Sequence, residues 1–355
     1  MSKALADLLK ARIEQSGPIS LAEYMSWCLS HPKHGYYMSE GRIGAKGDFT
    51  TAPEVSQMFG EIVGAWIAQT WHDLGRPAPV LLAELGPGRG TLMVDVLRVL
   101  SRVPGFLHST EIVLVETSVG LRKLQEAKLV GHQVRWSDRI EDLPELPIFL
   151  VANEFFDALP ADQYRRVGDY WAQRLIGVDD QGLTFLWARP AGDARLDVAF
   201  GPVPDGTVVE VNPLSAHIAG EVGRRIKDQG GATLFIDYGC WDGTGDTLQA
   251  LRGHGNVSPL SQPGDTDLTT HVRFRALAEA ARPARASGPL PQGVFLERLG
   301  ISARARVLAR SLKGEDLVQH VAAHRRLTHP DEMGNLFQVL ALTHQDAPLP
   351  PGFDP

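Results

Sequence analysis

Residues 80–91 read Val-Leu-Leu-Ala-Glu-Leu-Gly-Pro-Gly-Arg-Gly-Thr, an apolar run of strand length that passes into three glycines set two apart. Followed by a helix-like stretch from Thr91, it specifies one strand–turn–helix unit of an α/β sheet. Glycine is required in such a bend because a Cβ would block its dihedrals or the close approach of a ligand to backbone. The spacing narrows the ligand. Dinucleotide turns follow Gly-x-Gly-x-x-Gly, with a pyrophosphate on the helix N-terminus. Here the third glycine comes one residue early, and an acid, Glu84, precedes the first. That acid repels a pyrophosphate and suits the cationic amino group of S-adenosylmethionine. Gly86, Gly88, Gly90 and Thr91 are therefore expected to cradle this cofactor.

Two more residues extend the site. Glu116 closes the next apolar run, 26 residues beyond Gly90, where an acid accepts hydrogen bonds from ribose hydroxyls in Rossmann-like folds. Asp138, in Trp136-Ser137-Asp138, stands after the third strand, in the place of a polar group that contacts adenine. A glycine turn without a ligand is the plain alternative, since the motif alone is weak. Acids at 84 and 116 weigh against it.

The 355-residue chain is long enough for one large α/β domain with an elaborate insertion. Its longest apolar stretches are strand-sized, short of the roughly 20 residues that span a bilayer, so an integral membrane protein is not expected. A net charge of −7 argues against nucleic acid as a partner, because a phosphate backbone calls for a concentrated basic face. Two cysteines, Cys28 and Cys240, make neither a disulfide framework nor a zinc motif. They fit a reducing compartment. The first 15 residues carry Asp7 and Glu14 and no apolar signal core, so a cytoplasmic location is expected.

Patterning divides the chain into a helical N-terminal region with a cofactor-covering loop, 1–75, and an S-adenosylmethionine-binding core, 76–355. Helices are expected over 3–15 and 20–30, the second with Ser20 as N-cap and Glu23 at the capping-box position. Residues 31–47 read as a loop, and Thr51-Ala-Pro-Glu54 opens a helix to about 73 with another capping box. Strands at 80–84, 111–115, 133–136 and 148–152 alternate with helices at 91–103 and 119–127, which implies a parallel sheet with crossover helices. The helix from 91 carries Asp95 and Arg98 on its exposed faces. An antiparallel β insertion spans about 161–205. The doubly wound pattern then resumes with a strand at 207–211, a helix at 214–228 and a strand at 232–237. A long loop at about 239–270 reads as functional, and helices at 271–281, 293–299, 303–312 and 315–327 lead to a last strand at 336–343.

Strand four runs into Asn153-Glu154-Phe155-Phe156-Asp157-Ala158-Leu159-Pro160. Ligands of open α/β sheets bind beyond the carboxyl ends of strands, so Asn153, Glu154 and Asp157 are expected to face the transferred methyl group. Methyl transfer asks mainly for in-line placement of a nucleophile. A guanidinium acceptor stays protonated and needs carboxylates to orient it, a role that suits Glu154 and Asp157. The competing reading makes Asp157 a turn cap and Glu154 half of a local ion pair. Tyr238, after the fifth strand, is either a packed wall or a participant. His31, His34, His254 and His271 fit no metal-ligand spacing, and no metal is expected.

These strings identify a resemblance. His31-Pro-Lys-His-Gly-Tyr-Tyr37, Gly47-Asp-Phe-Thr-Thr-Ala-Pro-Glu-Val-Ser-Gln57, Glu84–Thr91, Asn153–Pro160, Ile236-Asp-Tyr-Gly239, Gly264-Asp-Thr-Asp-Leu-Thr269 and Met333-Gly-Asn-Leu-Phe337 resemble the MidA-like family over nearly the whole chain. The family includes the mitochondrial complex I assembly factor that methylates an arginine. The resemblance implies a class I methyltransferase fold, S-adenosylmethionine as cofactor and a protein substrate. For mitochondrial members it implies symmetric arginine dimethylation of a core subunit of NADH:ubiquinone oxidoreductase. It also suggests that Asp48, Phe49, Thr50 and Thr51 fold over the cofactor. Competing readings are a non-catalytic assembly chaperone that keeps the fold and a small-molecule methyltransferase. The intact turn and acids favour an enzyme over the first, and the insertion and long loop favour a macromolecular acceptor over the second.

Overall fold

The computed structural model describes residues 2–38, 50–253 and 255–353. The chain opens with α1 (Ser2–Ser16), a two-residue strand β1 (Ile19–Ser20) and α2 (Leu21–Ser30). As expected, the Ser20 hydroxyl accepts the Glu23 N–H at 3.1 Å and starts α2. The single helix expected from 51 to 73 is instead two, α3 (Ala52–Val55) and α4 (Gln57–Asp73). Ser56 is extended between them (φ −163°, ψ 141°), and its hydroxyl accepts the Met58 N–H at 3.2 Å, so the chain restarts on a fresh cap. Thr51 makes no side-chain cap bond. Glu54, the expected capping-box acid, accepts from the Thr91 hydroxyl instead.

The core follows as β2 (Val80–Leu85), α5 (Thr91–Leu100), β3 (Thr110–Val115), α6 (Val119–Lys128), β4 (Val134–Ser137) and β5 (Ile148–Asn153). Every residue of β2 and β5 is buried, as befits strands covered on both faces. Val80 and Leu82 pack with Phe59, Val63 and Val96 on one side. Leu81, Ala83 and Leu85 pack with residues such as Ile226 and Phe274 on the other. Asp95 is not on an exposed face of α5. It is buried, lies against Gly60 of α4 and pairs with Arg98 at 2.8 Å, because α4 covers the side of the helix that periodicity alone leaves open.

Next come β6 (Asp162–Val167), β7 (Tyr170–Asp179), β8 (Gly182–Trp187), the unforeseen helix α7 (Ala194–Phe200) and β9 (Val208–Val211). They form a second, antiparallel sheet in the order β1-β7-β6-β9, with β8 on β7. The expectation that 207–211 resumes the parallel sheet is wrong: β9 pairs with β6, with Val211 opposite Asp162. A short apolar alternation specifies a strand but not its partner.

After α8 (Pro213–Gln229) and β10 (Gly231–Cys240), the expected loop holds a small sheet of β11 (Gln249–Arg252), β12 (Gly255–Asn256) and β13 (Asp267–Thr269). Then follow β14 (Val272–Arg273), α9 (Phe274–Ala280), β15 (Arg285–Pro291), α10 (Gln292–Arg298), α11 (Ile301–Ala309), α12 (Gly314–Thr328) and β16 (Phe337–Thr343). Strand β15, rich in proline, reads as loop but sits at the sheet edge with a register shift between Ser287 and Leu290, where proline is tolerated.

The main sheet has the order β15-β16-β10-β5-β2-β3-β4. Strands β10, β5, β2, β3 and β4 run parallel; β16 runs antiparallel to β10, and β15 runs antiparallel to β16, in the direction of the parallel strands. This is the doubly wound fold expected. Strand order reverses between β2 and β5, and the crevice beyond their carboxyl ends is the place where such sheets bind ligands.

The seam between α4 and α5 is tight. A methyl group on Gly60 would lie 2.5 Å from Asp95 Cβ. Gly60→Ala is therefore expected to destabilise the fold by about 1–3 kcal/mol through overpacking, more than alanine's helix preference of about 1 kcal/mol returns. Thermal unfolding of the variant beside the parent measures the net loss.

Candidate active site

The glycine turn after β2 and the acidic turn after β5 face each other across the switch point and line one cavity of about 530 Å³. Gly86, Gly88 and Gly90 all take left-handed φ values, 61°, 52° and 76°, which cost a residue with a Cβ about 1–2 kcal/mol each. A Cβ on Gly86 would also meet the Phe155 ring at 2.6 Å. Gly90 serves as the N-cap of α5 and faces Gln125. The Thr91 hydroxyl is held by Glu54 and accepts from Lys128 Nζ at 2.7 Å, which ties α3 to the glycine turn.

Glu84 is an unsatisfied acid in the cavity. Its side chain is buried, and Oε2 has no hydrogen-bond partner. Burial, and then the neighbouring Glu116, push its carboxyl up to about 8. An unpartnered buried acid is what a cationic amino group would satisfy. Glu116 is better served: Oε1 accepts the Ser118 N–H at 2.8 Å and Oε2 accepts from Gln125 at 3.4 Å. Gln125 also donates to the Gly88 carbonyl at 2.7 Å and accepts from the Trp136 indole at 2.7 Å. This fully buried glutamine joins the glycine turn, the second-strand acid and β4, and nothing in its sequence context marks it. Asp138 lines the same cavity, with its carboxylate on Arg122 at 2.6 Å. The orphaned acid, the glycine cradle and the two further acids fit S-adenosylmethionine.

Asn153 and Glu154 line this cavity as well. Glu154 has a left-handed φ of 50°, a strain of order 1–3 kcal/mol that a surrounding structure must impose. Its N–H donates to the Ile236 carbonyl at 2.8 Å. Its Oε1 accepts the Ala52 N–H at 2.8 Å and the Asn153 amide at 3.1 Å. So Glu154 meets the start of α3, not a local base. Burial raises its carboxyl to about 7.

A second cavity, of about 360 Å³, adjoins the first and is lined by three acids, Glu154, Asp157 and Asp267, with Tyr37, Tyr238 and Arg326. Asp157 Oδ1 is buried without a partner. Burial pushes the Asp157 carboxyl up, opposed by a hydrogen bond from the Tyr238 hydroxyl. The Tyr238 ring packs edge-on to His271 and Phe337, with centroids 5.3 and 5.5 Å away. Asp237 forms the turn behind both acids: its Oδ2 accepts the N–H groups of Phe155, Phe156 and Asp157 at 3.1, 2.9 and 3.3 Å, and Oδ1 that of Tyr238 at 2.9 Å.

The two threonines of the expected cover part company: Thr51 lines the larger cavity and Thr50 the smaller. Asp48, Phe49 and His254 lie outside the described residues. Tyr37 and Asp267 went unremarked as site residues, although both sit inside strings that carry the family resemblance.

A family model for S-adenosyl-L-methionine-dependent methyltransferases matches residues 62–290. The chain belongs to this methyltransferase family. The protein arginine methyltransferase NDUFAF7 homolog of Drosophila melanogaster, a mitochondrial protein, is 35% identical over 96% of this chain and 84% of its own length. The human mitochondrial protein arginine methyltransferase NDUFAF7 is 35% identical over 94% and 82%. A COG1565 superfamily member from Burkholderia thailandensis, solved bound to S-adenosyl-homocysteine, superposes with a TM-score of 0.83 at 28% identity, covering 100% of this chain and 93% of that one. This methyltransferase uses S-adenosylmethionine. No helix among its described residues is long and apolar enough to cross a membrane.

Glu84 supplies a two-sided prediction. A carboxyl raised in the fold contributes stability below its unfolded value near 4.5 and loses it as pH rises through about 8. Glu84→Gln is therefore expected to raise the melting temperature of the ligand-free methyltransferase at pH 8. The same change should weaken S-adenosylhomocysteine binding roughly tenfold and abolish the proton release that accompanies binding to the parent at pH 7. Calorimetry in buffers of different ionisation enthalpy reads both quantities.

Proposed function

We propose that this methyltransferase is a protein arginine N-methyltransferase whose acceptor guanidinium enters the smaller cavity and meets the methyl group at Glu154. The observation that carries this reading is that Glu154 lines both cavities. Glu154 and Asp157, both lining the smaller one, suit a planar cation that stays protonated, and the names of the Drosophila and human relatives point the same way.

Bound S-adenosylmethionine supplies a methyl group on a sulfonium that needs no acid to leave. Glu84 receives the cofactor's amino group, Glu116 the ribose and Asp138 the adenine side, over the turn of Gly86, Gly88, Gly90 and Thr91. Phe49, Thr50 and Thr51 belong to the segment 1–75 that covers the site, and 76–355 forms the binding core. Asp157 and Glu154 orient the guanidinium, and Asn153 holds the Glu154 carboxylate in line. As the nitrogen–carbon bond forms and the sulfur–carbon bond breaks, the acceptor nitrogen sheds a proton, and Glu154 takes it. A carboxyl near 7 is matched to that task at neutral pH.

The acceptor we propose is a subunit of NADH:ubiquinone oxidoreductase, on the family resemblance, and the setting a reducing cytoplasm, which the two free thiols, one of them exposed, support. Purified subunits incubated with the enzyme and S-adenosylmethionine should gain methylarginine by mass spectrometry. Glu154→Gln and Asp157→Asn should each cost on the order of 100-fold or more in rate, and unchanged rates in both would sink the assignment. Because Glu154 must be ionised to accept a proton, kcat should climb with pH through about 7 and level off above it. Glu154→Gln should lose that limb.

A further inference from the structure

Among the described residues that line the two cavities, two are common to both: Glu154 and Tyr37. They stand where the two cavities meet. Each is pinned by a different part of the chain. Glu154 is fixed by its strained backbone and its bonds to Ile236 and Ala52. Tyr37 leaves the short helical turn after α2, sets its ring edge-on to Tyr36 at a centroid distance of 5.2 Å, and donates its hydroxyl to Asp267 Oδ1 at 2.9 Å.

Asp267 is buried and opens β13, where it pairs with Leu251 of β11. The small sheet inside the 239–270 segment thus reaches across the molecule to hold one ring. Burying a carboxylate is costly unless it is bonded, and the Tyr37 hydroxyl supplies one such bond to Asp267 while Asp267 fixes the ring. Transfer between two bound groups is sensitive to displacements near 1 Å, so a ring free to swing would blur the line between them.

We propose that Tyr37, pinned by Asp267, is the positioning residue that sets the aperture between the cofactor cavity and the acceptor cavity. This rests on the proposed function only for the identity of the group that passes through. Asp267 acts through the tyrosine.

The test uses two probes: adenosine analogues of S-adenosylhomocysteine in which nitrogen replaces sulfur and carries either an ethylguanidinium arm or a propyl arm. Each arm must thread the aperture. Calorimetry gives their affinities relative to S-adenosylhomocysteine for the parent, Tyr37→Phe, Tyr37→Ala, Asp267→Asn and the Tyr37→Phe/Asp267→Asn double variant. That ratio should fall roughly 30-fold for both arms in Tyr37→Ala, and about tenfold in Tyr37→Phe and in Asp267→Asn. The double variant should lose no more than either single one, as expected of two residues acting as a unit. Thermal unfolding of each variant beside the parent shows that the fold persists. Ratios unchanged across the variants would overturn the aperture. Additive losses would overturn the pinning, because Asp267 would then touch the arm directly. Equal affinity of the parent for the two arms counts against a guanidinium acceptor, while the dependence on Tyr37 for both still supports the aperture.

Discussion

Four backbone N–H groups converge on Asp237, and the rest of the site depends on that convergence. Three successive donors from Phe155 to Asp157 close a turn directly after β5, and a turn that tight throws Glu154 into a left-handed conformation. The strain is stored where two cavities meet and is sustained by hydrogen bonds made one strand away, on β10. Because β10 and β5 are parallel neighbours in register from Gly231 to Ile236, the anchor and the turn move as one body.

The site is built from acids held against their preference. Glu84, Glu154 and Asp157 are all pushed upward, chiefly by burial, and arginines sit at the margin, as Arg326 does at the smaller cavity and Arg122 beside Asp138. Elsewhere the chain pairs buried charge tightly: Arg304 grips Glu61 with two bonds of 2.7 and 2.8 Å, and Arg225 spreads over Glu221 and two carbonyls. The contrast separates a framework that satisfies its charges from a site that leaves them for cationic ligands.

What could be read from the sequence followed from local physics. The glycines of the 86–90 turn announce backbone conformations that only they adopt cheaply, and Ser20 and Glu23 announce a helix start. Strands β2 and β5, apolar up to the acid or amide near their carboxyl ends, announce burial on both faces. Long-range partnerships were not legible. The short alternation of β9 does not say that β6, rather than β10, lies beside it. Ser56 does not look like a helix break, because its extended backbone is set by the docking of α3 on Glu154. Gln125 carries no signal at all, since a glutamine on a polar helix becomes a hub only when Gly88, Glu116 and Trp136 are folded around it. The acids of the site were visible, but that Glu154 and Tyr37 are shared between cavities is a fact of three-dimensional placement.

The unpartnered Glu84 carboxyl ties the lifetime of the protein to its ligand. A fold that carries an unsatisfied buried acid when empty, and satisfies it when loaded, is stabilised by mass action in proportion to ligand concentration. Heat and proteases act on the population that opens, and the empty molecules contribute most of it. Occupancy therefore sets how much of the population opens: loaded molecules unfold less often than empty ones.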